Sequence, residues 1–381
     1  MHIIALEKEP HSYHGGKQRS QIDICRSLSQ RGHKISLLYV EEGDILKKYE
    51  EFCDQIVKIK SFEIERNKKI NSTFNLLADI WKISISKNSV VYTNQFYDNL
   101  FGSALARLKN IPLVCHLRHS VPKTFGLQWD IGLRGVTRFI AVSNQTKLDW
   151  VESGFIKPEK IDVVYNGINT EIFKPSEDFP ATRQKWNIPE DTKVILYVGR
   201  LNQEKGLETL IKAYATLAKN STRTRLLIAG SPVGYSRPEA GEKYKTSLKQ
   251  LATDLGIEKY VDFLGHRNDT ISLYQVSDVT VLPSLYSEPF GRTIIESMAC
   301  GTPAVGSRTG GITEILTGEF QRCLFEPGND RDLSDILNNI INWRGREYEL
   351  SERCRHHVLD NFTLDRMVEG VEKILLNIVN N

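Results

Sequence analysis

Glu288 and Glu296 stand eight positions apart in the stretch Ser287-Glu288-Pro289-Phe290-Gly291-Arg292-Thr293-Ile294-Ile295-Glu296-Ser297-Met298-Ala299-Cys300-Gly301-Thr302-Pro303. An apolar run over residues 279–284 precedes it, Pro-Phe-Gly is a turn, and a helix opens near Arg292. The free backbone N–H groups and positive dipole end at such a helix start suit an anion, a phosphate among them. Glu296 falls about one turn inside the helix with its side chain leaning back toward the amino terminus, and Glu288 stands in the loop before it. Both carboxylates can therefore flank one ligand. Carboxylates do not bind phosphates; their partners are hydroxyls of a sugar or a ribose diol, held by charge-assisted hydrogen bonds. A phosphate between two sugars satisfies all three elements. Taken singly, Glu288 reads as well as a solvated loop residue, and Glu296 as a carboxylate favoured by the helix dipole.

A second group carries positive charge. In Tyr197-Val198-Gly199-Arg200-Leu201-Asn202-Gln203-Glu204-Lys205-Gly206 a strand stops at Gly199, two cations five residues apart follow, and Gly206 starts the next helix. Arg200 can contact a phosphate bidentately and Lys205 adds a mobile point charge. An ordinary exposed basic loop has the same residues, and the place at a strand's carboxyl end is what argues for a phosphate clamp. Gly15-Gly16-Lys17 follows the first strand, where paired glycines either let backbone approach a ligand or simply turn. No Gly-x-Gly-x-x-Gly follows that strand, so this is not the dinucleotide fingerprint. His116 ends a strand within residues 104–138, which hold six Lys or Arg and one acid, Asp130. A strand-end histidine is more often structural than catalytic. The basic segment reads either as a solvated surface or as a rim that draws an anionic acceptor or an acidic membrane face. Asp330-Arg331-Asp332 follows Pro-Gly-Asn and reads as a helix start rather than a metal site. There is no His-x-x-x-His pair with a nearby acid, no Gly-x-Ser-x-Gly elbow and no Gly-Lys-Ser/Thr loop.

These residues have to be positioned by regular elements. Strand-length apolar runs at residues 2–7, 34–41, 89–94, 112–118 and 138–143 alternate with helical patterns at 17–31, 75–85, 100–109 and 144–153. That rhythm gives parallel βαβ units, and the Val- and Ile-rich strands show little alternation, as helices on both sheet faces require. Residues 165–189 carry turn signals without periodicity and read as an interdomain linker. The rhythm restarts with strands at 193–199, 225–230, 261–265, 279–284 and 303–307 and helices at 206–219, 244–255, 270–276 and 292–300. Two doubly wound α/β domains in tandem follow, the helices after Asp330 packing on the second or returning to the first. Ligands of such sheets bind at the carboxyl ends of the strands.

A chain of 381 residues exceeds what one core usually serves, and its 40% hydrophobic and 25% charged fractions are those of a globular protein. Fifty Lys plus Arg against 47 Asp plus Glu leave a net charge of +3, too small for a general nucleic-acid coat. No apolar run approaches the ~18 residues a bilayer span needs. The first residues enter a strand with no signal-peptide pattern, so an unexported protein is expected. Six scattered cysteines read as reduced structural thiols.

In order and spacing these blocks resemble the family 4 (group 1) retaining glycosyltransferases of the GT-B fold. The likeness spans nearly the whole chain: Gly15-Gly16, His116, Ala141-Val142-Ser143, Asn166-Gly167-Ile168-Asn169, Gly199-Arg200 with Glu204-Lys205-Gly206, Glu288 with Glu296, and Ala299-Cys300-Gly301-Thr302-Pro303. It implies two Rossmann-like domains facing across a deep cleft: an acceptor-binding domain over residues 1–170, a nucleotide-sugar-binding domain over 171–360, and a helix over 361–381 returning to the first. By the resemblance, Arg200 and Lys205 hold the donor diphosphate, Glu296 the ribose hydroxyls and Glu288 the hydroxyls of the transferred sugar. Backbone of Gly16 and of Pro289, Phe290, Gly291, Arg292, Thr293 and Ile294 approaches phosphates and sugar. The base lies near Gly265, His266 and Arg267, and His116 faces the donor sugar. The implied enzyme is a retaining hexosyltransferase without metal or other cofactor, in which the leaving diphosphate helps deprotonate the acceptor.

UDP-glucose or UDP-GlcNAc is the favoured donor because UDP is common in that family. The expected acceptor is a saccharide or a lipid-linked one, in polysaccharide or glycoconjugate biosynthesis. The expected place is the cytoplasm, with peripheral contact at the inner membrane face left open and no nucleic-acid partner. The chain departs from the commonest pattern at Arg292, where a small or apolar residue is frequent, and at Leu117-Arg118-His119 after His116. Independently of the resemblance, cleaving a sugar–diphosphate bond develops negative charge on the departing phosphate, where Arg200, Lys205 and a helix start favour the transition state. The alternatives are a GT-B relative that epimerises or phosphorolyses a sugar substrate, or a non-catalytic sugar-nucleotide-binding protein. A retaining glycoside hydrolase built on Glu288 and Glu296 leaves the Arg and Lys unexplained.

Overall fold

The computed structural model describes residues 1–11, 15–64, 67, 69–86, 88–122, 124–220, 223–232 and 238–380. The chain forms two compact units, Met1–Gly167 with Leu364–Asn381, and Ile168–Thr363. These limits replace the expected 170/171 and 360/361. Residues 168–189 are not a linker: they belong to the second unit, with Ile168 and Phe173 buried and a helix at Phe179–Lys185.

The first unit runs β1 (His2–Glu7), α1 (Gly16–Gln30), β2 (Lys34–Tyr39), α2 (Leu46–Glu50), β3 (Gln55–Lys58), α3 (Lys69–Lys82), β4 (Ser89–Thr93), α4 (Asn99–Lys109), β5 (Leu113–Leu117), α5 (Leu127–Arg134), β6 (Arg138–Ala141), α6 (Asn144–Glu152) and β7 (Ile161–Val163). The sheet order is β3-β2-β1-β4-β5-β6-β7, parallel throughout. Ile4 and Leu6 send their side chains into the core under α3–α6, whereas Ile3 and Ala5 enter the core under α1 and α2. Every residue of β1 is buried, so Ile3–Leu6 reads as an unbroken apolar run between the buried polar ends His2 and Glu7.

The second unit runs α7 (Phe179–Lys185), β8 (Lys193–Val198), α8 (Leu207–Asn220), β9 (Thr224–Ala229), α9 (Pro238–Asp254), β10 (Val261–Gly265), α10 (Thr270–Val276), β11 (Val279–Leu282), α11 (Arg292–Ala299), β12 (Ala304–Ser307), α12 (Ile312–Ile315), β13 (Leu324–Phe325), α13 (Asp330–Ile340), α14 (Trp343–Arg346) and α15 (Leu350–Asn361). Its parallel order is β10-β9-β8-β11-β12-β13. Asn329 caps α13 by accepting from the Asp332 N–H, so the Asp-Arg-Asp triplet is a helix start. The last helix, α16 (Leu364–Asn380), belongs to the first unit, where Met367, Val368, Val371 and Leu375 enter the same core as α1.

In both sheets the winding reverses between two neighbouring strands, β1 and β4 in one and β8 and β11 in the other. Loops leaving such a pair diverge to opposite faces and leave a crevice at the carboxyl ends. Arg200 and Lys205 follow β8, and Glu288 follows β11. All six cysteines are free. No helix among the described residues is long and apolar enough to cross a membrane.

Candidate active site

The carboxyl ends of β8, β9 and β10 each run into a glycine. Gly199 N–H donates to the Ala229 carbonyl at 3.0 Å and Gly230 N–H to the Gly265 carbonyl at 2.7 Å. Gly230 has φ +156°, and a Cβ there would lie 1.7 Å from the Gly199 oxygen, so the strand ends close up only without side chains. Past Gly199 the chain makes a short 3-10 turn over Gln203–Lys205 before α8, and Gly206 is the left-handed residue between them at φ +66°. A Cβ on Gly206 would meet the Pro283 carbonyl at 2.0 Å. Leu285 N–H donates to the Glu204 carbonyl at 2.8 Å. The loops after β8 and β11 are thus clasped through backbone.

That clasp brings Lys205 to Glu288. The Lys205 ammonium donates to Glu288 Oε2 at 2.5 Å and to the Tyr286 hydroxyl at 3.0 Å, and Ser284 Oγ donates to the same carboxylate oxygen at 2.9 Å. Lys205 is buried and the Glu288 side chain only 14% exposed. Burial alone would raise the Glu288 carboxyl, but the Lys205 charge, with hydrogen bonds from Lys205, Ser284 and Tyr286, outweighs it and holds the group below its ordinary value. Burial, and then the Glu288 charge, push the Tyr286 phenol up, so it stays a neutral donor or acceptor. Behind this loop Gly311 N–H donates to the Glu288 carbonyl at 2.8 Å, and a Cβ on Gly310 would stand 2.2 Å from that oxygen.

Glu296 sits inside α11, whose N-cap is Gly291 at φ +107°. Arg292 Nε donates to Glu296 Oε1 at 2.7 Å and the Tyr274 hydroxyl to Oε2 at 2.8 Å, so both carboxylate oxygens have protein partners. Phe290 and Ile294 are core side chains, Phe290 packing edge-on against Phe362 at 5.8 Å, and any ligand contact from them is through backbone. Pro289 and Thr293 are half-buried. Gly265, His266 and Arg267 lie at the end of β10, two strands from β8. Arg267 is paired to Asp269 at 2.6 Å and stacked on Trp186 at 5.0 Å, and His266 reaches Asn268 at 3.2 Å.

The remaining expected residues lie in the first unit. Gly16 is the first residue of α1, exposed behind a left-handed Gly15. His116 is fully buried in β5: Nδ1 meets the Tyr92 hydroxyl at 2.7 Å and an Arg118 nitrogen at 3.2 Å, while Nε2 is buried with no hydrogen-bond partner among the described residues. Burial and then the Arg118 charge depress its pKa, so the ring is neutral.

Of the expected basic rim over residues 104–138, Arg107 and Arg134 are exposed among the described residues, but the other arginines are drawn into contacts. Arg118 is buried, bonded to Asn94 and Asn166; Arg134 pairs with Asp130 and Arg138 with Asp162. Lys123 lies outside the described residues. A strand-end arginine turned inward has charge that composition counts but the surface lacks.

Tyr274, Tyr286, Ser284 and the Gly310-Gly311 pair were not among the expected site residues. The glycine doublet was a visible signal, as was Tyr286 two positions before Glu288; Tyr274, 22 positions from Glu296, and the reach of Tyr286 to Lys205, 81 positions away, were not.

Residues 178–357 match the family model described as glycosyl transferases group 1, and residues 14–172 match that of glycosyltransferase family 4. An uncharacterized glycosyltransferase of Methanocaldococcus jannaschii is 30% identical over 305 residues, 75% of each chain. The Escherichia coli UDP-Gal:alpha-D-GlcNAc-diphosphoundecaprenol alpha-1,3-galactosyltransferase is 23% identical over 385 residues, 96% of this chain and 95% of that one. Anabaena HepE, solved in complex with UDP and glucose, has a similar structure with a TM-score of 0.82 at 22% identity over 98% of both chains. Two doubly wound parallel sheets with this likeness define the GT-B fold. The chain belongs to the group 1 glycosyltransferases.

Proposed function

We propose that the protein is a retaining, metal-independent hexosyltransferase that moves a hexosyl unit from a UDP-linked sugar, UDP-glucose or UDP-GlcNAc, to a saccharide or lipid-linked acceptor. The observation that carries the reading is the 2.5 Å contact of Lys205 with Glu288 between the loops after β8 and β11. It sets a phosphate-binding cation and a hydroxyl-binding carboxylate side by side at the switch point, close in sequence to the helix that carries Glu296. The UDP complexes of HepE and the UDP-Gal donor of the E. coli relative support a UDP-linked donor.

In this reading Arg200, Lys205 and the N–H groups opening α11 hold the diphosphate and stabilise the charge it gains as the sugar C1–oxygen bond breaks. Glu288 accepts hydrogen bonds from the sugar hydroxyls, and Glu296, held by Arg292 and Tyr274, accepts those of the ribose. The base rests near Gly265, His266 and Arg267. The acceptor oxygen bonds to C1 on the face the diphosphate leaves, and its proton passes to a departing phosphate oxygen. Positive charge comes from the protein itself, so neither a metal nor another cofactor is required. Gly16 and His116 lie in the other unit and carry no part of this argument.

Thermal shifts with UDP, GDP and ADP test the nucleotide, because a ligand that binds only the folded state raises the melting temperature. Incubation with UDP-glucose or UDP-GlcNAc and an acceptor, with and without EDTA, should give a product whose anomeric coupling matches the donor. An inverted product rejects retention. Loss of activity in EDTA, restored by a divalent ion, rejects metal independence.

A further inference from the structure

We infer that the outer face of α3 is a docking surface for an anionic lipid bilayer. Along α3, Ile70 is 86% exposed, Phe74 71%, Leu77 39% and Trp81 78%. Their spacing of four, three and four places all of them within about 60° of one another around the helix at 100° per residue. The helix has a second apolar face, with Leu76 and Ile80 in the core of the first unit, so the exposed stripe is not what anchors it to the fold. Soluble surfaces seldom line up large apolar side chains this way without something to cover them.

The surrounding charge selects the occupant. Among the described residues, Lys60 Nζ donates to Asn75 of α3 at 2.7 Å, and the acids Asp79 and Asp98 are buried. Lys82 is 61% exposed, and Lys109 lies over the Trp81 ring at 5.7 Å, tying an ammonium to the rim of the stripe. The exposed positions of α3 carry no acid. Apolar and aromatic side chains flanked by lysines match the boundary between headgroups and acyl chains, where the rings enter and the ammonium groups stay with lipid phosphates.

The apolar surface is also one-sided. Every large exposed apolar residue described in the first unit falls between residues 70 and 155, on the sheet face covered by α3–α6, and none is on α1, α2 or α16. A second copy of the chain fits poorly: two-fold pairing would set the same lysines against each other. A stripe about 17 Å long and 10 Å wide is also well below the ~800 Å² per partner of a stable interface.

The inference does not rest on the donor or acceptor proposed above, and UDP binding reports on those separately. The test is sedimentation of the full chain with vesicles of phosphatidylcholine alone or with one quarter phosphatidylglycerol, at low and high salt. Wild type should bind the phosphatidylglycerol vesicles, several-fold less in 0.5 M salt, with a blue shift of tryptophan emission. Phe74→Ser with Trp81→Ser should lower partition at least tenfold, and Lys82→Glu severalfold at low salt only. The thermal shift with UDP should stay as in wild type. Ile70→Ser alone repeats the test away from Lys109. The inference is overturned by wild type failing to bind anionic vesicles at low salt, by undiminished binding of the serine variants, or by light scattering that shows a dimer which those variants abolish.

Discussion

Lys205 is already engaged before any donor arrives, since Glu288 and Tyr286 accept two of its three N–H bonds. The pairing makes removal of either partner a stability event as well as a binding one. In Lys205→Ala the buried Glu288 carboxylate loses its cation, which costs on the order of 3–5 kcal/mol, and diphosphate affinity should fall roughly tenfold or more. Adding Glu288→Gln should return most of the stability but none of the affinity. Calorimetry with UDP and urea melts on the single and double variants separate the two effects, and equal stability of both would sink the pairing. Glu288 has a depressed pKa, so its share of stability is present above its unfolded value of about 4.5 and is lost as pH falls through the folded one. Glu296 stands differently: Glu296→Gln should mainly weaken UDP binding, whereas Glu288→Gln should mainly lower transfer and blur sugar choice. Matched kinetics and UDP titrations decide this, and equal losses of UDP affinity would reject the division. Glu7 has the opposite sign. Burial pushes its carboxyl up to about 8, and that of Asp98 to about 7, so at neutral pH Glu7 is mostly protonated and Asp98 about half so, and both are protonated at lower pH. The folded state then holds more protons than the unfolded one, and stability falls as pH rises from the unfolded values through the folded ones. Glu7→Gln should melt close to wild type at pH 5 and above it at pH 8 by a few kcal/mol. A pH-independent difference would place the Glu7 charge elsewhere.

Elements with long apolar runs were legible because burial on both faces favours apolar side chains: the centres of β1, β8 and β11 are mostly Ile, Val and Leu. The short edge strands β3, β7 and β13, of four, three and two residues, carry too few positions for a pattern. α7 hid among prolines that open it rather than break it: Pro180 stands in its first turn, where a missing N–H costs nothing. The candidate site was legible as loop-borne residues at strand ends, but its contacts were not, since Lys205 and Glu288 are 83 positions apart and only the backbone clasp around Gly206 joins them. Glycines in that framework differ in a measurable way. Gly310 and Gly256 both have positive φ, but a Cβ on Gly310 would collide with Glu288 backbone, whereas nothing lies within 4 Å at Gly256. Gly256→Ala should cost only the ~1 kcal/mol of a left-handed alanine. Gly310→Ala should cost clearly more and should also weaken UDP binding by shifting the loop that holds Glu288. Similar urea midpoints for the two variants would show that the loop yields freely.

At the scale of the molecule, the chain leaves the first unit after Gly167, builds the whole second unit, and returns at Leu364. The first unit is therefore completed last, although it holds the amino terminus. Met367, Val368, Val371 and Leu375 cover a sheet face that α1 and α2 cover only in part, and Glu372 accepts from Arg31 at 2.7 Å while meeting His33 at 2.7 Å. The close fit shows at Gly370, where a Cβ would come within 3.0 Å of Val164. Leu375→Ala should cost about 2–5 kcal/mol, as buried leucines do. Ending the chain at Thr363 uncovers the whole patch, and the two units should respond differently. The first should become protease-sensitive throughout residues 1–167. The second, whose strands and candidate donor residues all lie within residues 168–363, should stay resistant and keep its affinity for UDP. Limited proteolysis read by mass spectrometry, with calorimetry on the surviving fragment, measures both halves of the prediction. Undiminished protease resistance of residues 1–167 would mean that α1 and α2 suffice to close that sheet face, and that the returning helix serves some purpose other than covering it.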